Sequence, residues 1–277
     1  VPYTPGTKPG DWRPTPPGFL PPVLPNWPLV TPFALKAASQ FRPGRPPALT
    51  SSAYARSFNQ VKSIGAANST TRTPEQTEIA RFWLDGSGTS TPVGHWNRIA
   101  EDVAIARGNT LAQNARLFAL LNIAEADVGI AAWKAKYTYN FWRPITAIRE
   151  AATDGNRRTV ADPGWTPLVV TPNHPSYPSG HADFSGAAAR VLADFFGTDR
   201  VAFTSRSEAP LDVTRSYTRF SQAAKEAAMS RVYAGIHWSF DVEDGLRLGQ
   251  RVGRYVSRNV LIPLRPHAAA HGTGRVR

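Results

Sequence analysis

Three short blocks hold the residues able to do chemistry. The central one reads Thr171-Pro-Asn-His174-Pro-Ser-Tyr177-Pro178-Ser179-Gly180-His181-Ala182-Asp183. A loop punctuated by Pro and Gly ends at a histidine, and the Ala-rich run from Ala182 to Phe196 reads as a helix. Pro178 cannot sit inside that helix, and Gly180 lets the backbone approach a ligand closely. The N–H groups of Ser179 and Gly180 then fall near a helix N-terminus, which is a ready site for an anion. His181 stands beside them as an acid or base. Taken alone, the block equally describes a polar loop with a capping serine.

The other two blocks change that balance. Upstream lies Lys136-Tyr-Thr-Tyr-Asn-Phe-Trp142-Arg143-Pro144, with two cations seven residues apart. On a helix that is two turns and one face. Downstream lies Ser230-Arg231-Val-Tyr-Ala-Gly-Ile-His237-Trp-Ser-Phe-Asp241, with a carboxylate four residues after a histidine. Lys136, Arg143 and Arg231 offer charge and donors to the oxygens of a tetrahedral or trigonal-bipyramidal oxyanion. The Ser179 hydroxyl and the Gly180 N–H add neutral donors. Asp241 would hold one ring nitrogen of His237 protonated and aim the other at the central atom. His181 would act as the acid–base group on the opposite side. Singly, each residue has a bland alternative: surface arginines, a snorkelling lysine, an aspartate helix cap. Jointly they do not, because eleven fixed identities fall in three ordered blocks and each has a chance frequency of about one in twenty.

The elements that must carry these blocks read as helices. A short helix is expected around Tyr54–Ile64. Thr73-Pro74-Glu75-Gln76 opens another with a cap, a first-turn proline and a capping-box glutamine, and Asp85-Gly86 ends it. His95 to Arg107 follows, closed by Gly108, and Thr110 caps a long helix running toward Lys136. His95 reads as a structural or surface histidine. Residues 150–178 form a long irregular connection that delivers the Ser-Gly-His loop. Helices follow over Ala182–Phe196, Ser221–Tyr233 and Asp241–Val260, with residues 198–217 as a connection. Only Leu168–Thr171 looks strand-like. Residues 1–35 carry eleven of the 25 prolines and read as an extended arm, whose aromatic residues argue that it packs on the body. The expectation is one all-α domain over 1–277: the arm, a bundle of about eight helices over 36–262, and a basic tail over 263–277 with His267 and His271 exposed.

Composition sets bounds. The chain has 277 residues, no cysteine and a net charge of +12. Disulfides and zinc–thiolate sites are excluded, and no apolar run is long enough for a membrane span. The 26 arginines against 6 lysines are scattered, with no basic block and no nucleic-acid module. The charge instead suits an anionic substrate or cofactor. Position 1 is Val, so a removed leader and a secreted or periplasmic location are expected.

The pattern Lys-x6-Arg-Pro, Pro-Ser-Gly-His and Ser-Arg-x5-His-x3-Asp resembles the superfamily that joins vanadium-dependent haloperoxidases with type 2 phosphatidic-acid-phosphatase-like acid phosphatases. All three blocks match in order between Lys136 and Asp241. The resemblance implies a helical bundle with vanadate, or phosphate in the same site, held by Lys136, Arg143, Ser179, Gly180 and Arg231. In the peroxidases the His237 position binds vanadium and the His181 position is the acid–base residue. In the phosphatases the His237 position becomes phosphohistidine. His174, seven residues before His181, is similar to the bromoperoxidase type, and Ala182 also resembles the peroxidases. The implied reaction joins hydrogen peroxide, a halide (bromide before chloride) and an organic acceptor, with the metal as a Lewis acid. No nucleic-acid or membrane partner is implied, and a homo-oligomer is allowed. An acid phosphatase acting through His237 stands as the alternative, and a non-catalytic oxyanion-binding module as a third reading. The departure from the family is the short chain.

Overall fold

Side-chain caps and prolines start the helices. The Ser51 hydroxyl accepts the Tyr54 N–H at 3.1 Å and opens α1 (Ser52–Ile64). Reciprocal capping boxes, Thr73 with Gln76 and Thr110 with Gln113, open α2 (Pro74–Phe82) and α4 (Leu111–Tyr139). First-turn prolines mark α3 (Thr91–Ala106) and α5 (Pro144–Arg149). Then come α6 (Gly180–Phe196), α7 (Phe220–Tyr233) and α8 (Ser239–Asn259). These eight α-helices are the ones found in a computed structural model that describes residues 3–208 and 212–263. The expected tail, with His267 and His271, lies almost wholly outside the described residues.

One expectation about the site's scaffold fails. Lys136 and Arg143 do not share a helix face. Helix α4 ends at Tyr139, Asn140 turns left-handed at φ +50°, and Arg143 is the extended residue that caps α5. Pro144 explains this, because the residue before a proline is pushed out of the α region. Helix α5 itself was not anticipated. Helix α3 starts four residues before His95, at Thr91. The connection over 198–217 contains an antiparallel hairpin, β1 (Phe203–Arg206) with β2 (Thr214–Tyr217), paired from Phe203↔Tyr217 to Arg206↔Thr214. Leu168–Thr171 forms no strand. It is pinned instead by single bonds, Leu168 N–H to the Gly65 carbonyl at 3.0 Å and Val169 N–H to the Ala234 carbonyl at 3.4 Å.

Two large clusters make most of the core, beside a small third one of Ala80, Ala234 and Ile236. One joins Trp96, Leu117, Leu121, Val128, Val191, Leu248 and Val252 across α3, α4, α6 and α8. The other joins Tyr54, Phe58, Trp142, Ile145, Tyr177 and Trp238 beneath the site. Helices α6 and α8 make the most intimate pair because their facing residues are small. A Cβ added at Gly249 would lie 2.1 Å from the Asp183 carbonyl, and one at Gly253 would lie 2.6 Å from that of Ala187. Backbones this close leave no room for any side chain. The pairing also brings the two helix N-termini together, and the Ser179 N–H donates to the Asp241 carbonyl at 3.0 Å.

The N-terminal arm packs on the body. Trp12 is fully buried, and its N–H donates to the Asn140 carbonyl at 2.7 Å. Farther on, the arm runs along α4. The Val23 carbonyl accepts from Tyr137 Oη at 2.6 Å, and the Asp127 carboxylate accepts the N–H groups of Phe33, Ala34 and Leu35 at 2.6–2.8 Å. That triple acceptance is why a carboxylate can lie buried in the middle of α4.

Candidate active site

The loop before α6 and the turn before α8 meet at one wall of a cavity of about 660 Å³. Among the residues lining it are His174, Gly180, His181, Arg231 and His237. Lys136, Arg143, Ser179 and Asp241 stand immediately behind. All nine residues singled out from the sequence therefore come together, five at the surface of the cavity and four in its support.

His237 has both ring nitrogens assigned by unambiguous neighbours. Nδ1 lies 2.8 Å from the Asp241 carboxylate and Nε2 lies 3.0 Å from Arg143 Nη1. A carboxylate accepts and a guanidinium donates, so Nδ1 carries the hydrogen and Nε2 presents its lone pair. The ring is neutral. Burial first, then Arg143 and Lys136, push its pKa well below the ordinary histidine value. Asp241 is fully buried, and it also receives the Trp238 N–H at 3.2 Å and the Ser176 hydroxyl. Burial raises its pKa, and these donors and Lys136 oppose the rise. Ser176 lies inside the quoted His174–His181 block, but nothing in its spacing told that its hydroxyl would hold Asp241.

The three cations hold the loops in place. The Lys136 ammonium is fully buried and donates to the carbonyls of Pro175, Ser176 and Pro178. Burial and the Arg143 charge drive its pKa down, while Asp183 and Asp241 oppose them. Arg143 donates to the carbonyls of His174 and Ile236 at 2.9 and 2.7 Å, and to the His174 ring at 3.0 Å. Arg231 donates to the carbonyls of Trp83 and Ala80, at the C-terminal end of α2, at 2.7 and 3.3 Å. The sequence blocks did not point to α2 as a part of the site. Burial pushes both guanidinium groups down, Arg143 to about 9 and Arg231 to about 10. Three crowded, desolvated cations are relieved by an anion.

The remaining residues face the opening. His181 Nε2 lies 3.3 Å from both the Leu84 carbonyl and Arg231 Nη1. Burial and Arg231 press its pKa well below the usual histidine value. His174 is half-buried, with its ring centroid 5.1 Å from that of Trp133. Burial and the neighbouring cations lower its pKa as well. Asp183 is fully buried, and neither of its oxygens has a hydrogen-bond partner. Burial lifts its pKa well above the carboxylate range.

The donor set suits an oxyanion. The buried Ser179 hydroxyl has no hydrogen-bond partner among the described residues. It sits beside the α6 N-terminus, next to Gly180, where a Cβ would meet only ordinary contacts with Trp133 and Phe184. No three His, Asp or Glu side chains converge as cation ligands among the described residues. One neutral histidine, three cations and an unpartnered hydroxyl fit a tetrahedral or bipyramidal oxyanion such as vanadate, and not a bare cation.

Comparison with known proteins bears on the family and the fold. Residues 116–264 match the family described as the VCPO second helical-bundle domain. A vanadium chloroperoxidase from Curvularia inaequalis is 30% identical, over 94% of this chain and 53% of its own length. A vanadium-dependent bromoperoxidase from Ascophyllum nodosum is 36% identical over 39% of this chain and 21% of its own. Among solved structures, a bacterial vanadium-dependent iodoperoxidase superposes with a TM-score of 0.81 at 35% identity, covering 92% of this chain and 62% of that one. A bacterial vanadium-dependent chloroperoxidase at 19% identity and TM-score 0.70 shares the fold. The chain spans about half the length of the chloroperoxidase it matches. The family model covers more than half of the chain, so the chain belongs to the vanadium haloperoxidase family.

Proposed function

We propose that the chain is a vanadate-dependent haloperoxidase that oxidises halide with hydrogen peroxide, bromide more readily than chloride. The overall conversion is hydrogen peroxide, halide and a proton giving hypohalous acid and water. The observation that carries this reading is the neutral His237, which lines the cavity, is held by Asp241 through Nδ1 and keeps Nε2 as an acceptor beside the Arg143 guanidinium. His237 would be the vanadium ligand. Arg143, Ser179, Gly180 and Arg231 would hold the surrounding oxygens, and the Lys136 charge would act on them from behind the loop. Vanadate would supply a Lewis acid that activates peroxide without changing its own oxidation state. His181, with its depressed pKa, would be a neutral base able to take a proton from incoming peroxide and return it to departing water. His174 would offer a hydrogen bond at the mouth, and this favours bromide. Secretion or a periplasmic location is part of the same proposal; among the described residues no helix is long and apolar enough to cross a membrane.

A second reading rests on the same atom. A neutral imidazole whose Nε2 lone pair faces an oxyanion site is also a competent nucleophile toward phosphorus. That chain would be an acid phosphatase acting through phosphohistidine at His237, with His181 protonating the leaving group. One apo sample separates the two. Split between orthovanadate and phosphate-free buffer, it is assayed for bromination of a phenol dye and for nitrophenyl phosphate hydrolysis. Bromination only with vanadate is the expected result. Hydrolysis in the apo sample that vanadate abolishes, with no bromination, would establish the phosphatase.

A further inference from the structure

A second cavity, of about 380 Å³, lies against the first. The two share Val169, Val170 and Thr171 as a common wall. The far side of the second cavity is apolar, made by Pro16 and Pro17 of the arm together with Ile145 and Leu168. Two polar features break that lining. Arg149 uses Nε to donate to the Trp165 carbonyl at 2.8 Å, and its two terminal nitrogens have no protein partner among the described residues. Thr171 is nine-tenths buried, and its hydroxyl has no hydrogen-bond partner among the described residues. A buried unpaired hydroxyl is uncommon enough to ask what completes it. The volume falls within the range of small-molecule sites, and apolar walls with a few placed polar groups are their usual make-up.

We infer that this cavity binds a single-ring organic acid as the acceptor to be halogenated, with Arg149 taking the carboxylate and Thr171 facing the ring's polar substituent. This rests on the haloperoxidase reading for the acceptor's fate, but not for its binding. The site lies one backbone thickness from the proposed place where the oxidised halogen forms. A held acceptor there meets that oxidant before it escapes to water. The halogenation itself balances as an aromatic C–H and hypohalous acid giving C–halogen and water. The anionic class follows from Arg149, which is the one cation in the lining. The ring follows from the apolar walls and the size.

Titration calorimetry of the apo protein with 4-hydroxybenzoate tests the binding directly. One site is expected, unaffected by saturating inorganic phosphate, which would fill the oxyanion cavity instead. Arg149→Met is expected to weaken binding about tenfold, the usual worth of one charge-assisted contact, while neutral 4-hydroxybenzyl alcohol binds both proteins alike. Val170→Asp places a charge on an exposed shared-wall residue and is expected to weaken the acid similarly without touching the fold. Competition by phosphate would place the acid among the active-site cations and overturn the inference. So would wild-type affinity for the acid in both variants, or no binding at all. If binding follows the prediction yet no halogenation is ever seen, the pocket stands and the haloperoxidase reading fails.

Discussion

Among the described residues two histidine–carboxylate pairs have buried side chains, and only one of the two histidines lines the active-site cavity, although Asp85 of the other pair also reaches it. His95 Nδ1 lies 3.0 Å from Asp85, much as His237 Nδ1 lies 2.8 Å from Asp241. Both rings are buried. The difference is the other nitrogen. His95 Nε2 meets the Ser205 hydroxyl at 2.7 Å, and its ring stacks on Trp83 at 4.5 Å and 21°. Every polar atom of that ring is satisfied by neutral or anionic protein, and it lines no cavity. His237 Nε2 meets a guanidinium, beside two more cations, at the edge of open space. A carboxylate-oriented imidazole is therefore a structural device by default. It becomes chemistry only where its second nitrogen has an incoming group to address.

Substitutions should separate the pairs by what they damage. The largest effect is expected from His237→Ala: turnover of either proposed reaction should fall on the order of 10³-fold or more, as when one member of a catalytic set is removed. Circular dichroism should show the fold retained. His95→Ala should do the reverse. It leaves a hole beside Trp83 and strands the Asp85 carboxylate, so a loss of about 3 kcal/mol in denaturant unfolding is expected, with activity per folded molecule within a few-fold. If the two variants behave alike, the contrast drawn here is wrong.

Next in size are the helix contact and the carboxylates. At Gly249→Val the new Cβ would strike the α6 backbone. A loss of about 2 kcal/mol or more is expected from thermal melts, together with weakened oxyanion binding, because the two helix N-termini are pushed apart. Asp241→Asn should lower kcat roughly 10–100-fold, by releasing the His237 tautomer. Asp85→Asn should cost stability and lower kcat by less than Asp241→Asn does, because Asp85 lines the cavity and acts on Arg231 only through its charge.

The smallest expected effect is in pH dependence. The folded state holds His181 well below its ordinary pKa, so the unfolded chain takes up a proton that the folded one refuses. Its contribution to stability is present above about pH 6.5 and is lost as the pH falls below that value. His181→Asn removes this titration. The melting temperature of the variant should therefore drop less steeply than that of the wild type between about pH 6.5 and 5. Parallel curves would show that His181 is not held neutral.

The site was more legible in the sequence than its scaffold was. Lys136, Arg143, Ser179, Gly180, His181, Arg231, His237 and Asp241 could be read as a set because each type does work that few other residues can do. The helices around them were legible where caps were explicit, at Thr73 and Thr110. Arg143 does not share the Lys136 helix as its seven-residue spacing suggests, because Pro144 pushes the residue before it out of the helical region. The β1–β2 hairpin was missed because Phe-Thr-Ser-Arg and Thr-Arg-Ser-Tyr are short and mostly polar, with only four residues each. Ser176, the α2 carbonyls that hold Arg231, and the unpartnered Asp183 are matters of tertiary packing. No local pattern carries them. His95 reads from the sequence as structural or surface, and its burial against Trp83 and Ser205 decides for the structural role.

Vanadium retained after equilibrium dialysis against orthovanadate, measured side by side for wild type, His237→Ala and His95→Ala, tests the central claim most directly. About one vanadium per chain is expected in the wild type and in folded His95→Ala, and a large loss in His237→Ala. Equal retention by His237→Ala and the wild type would contradict the account, because the His237 ring would then hold no vanadium.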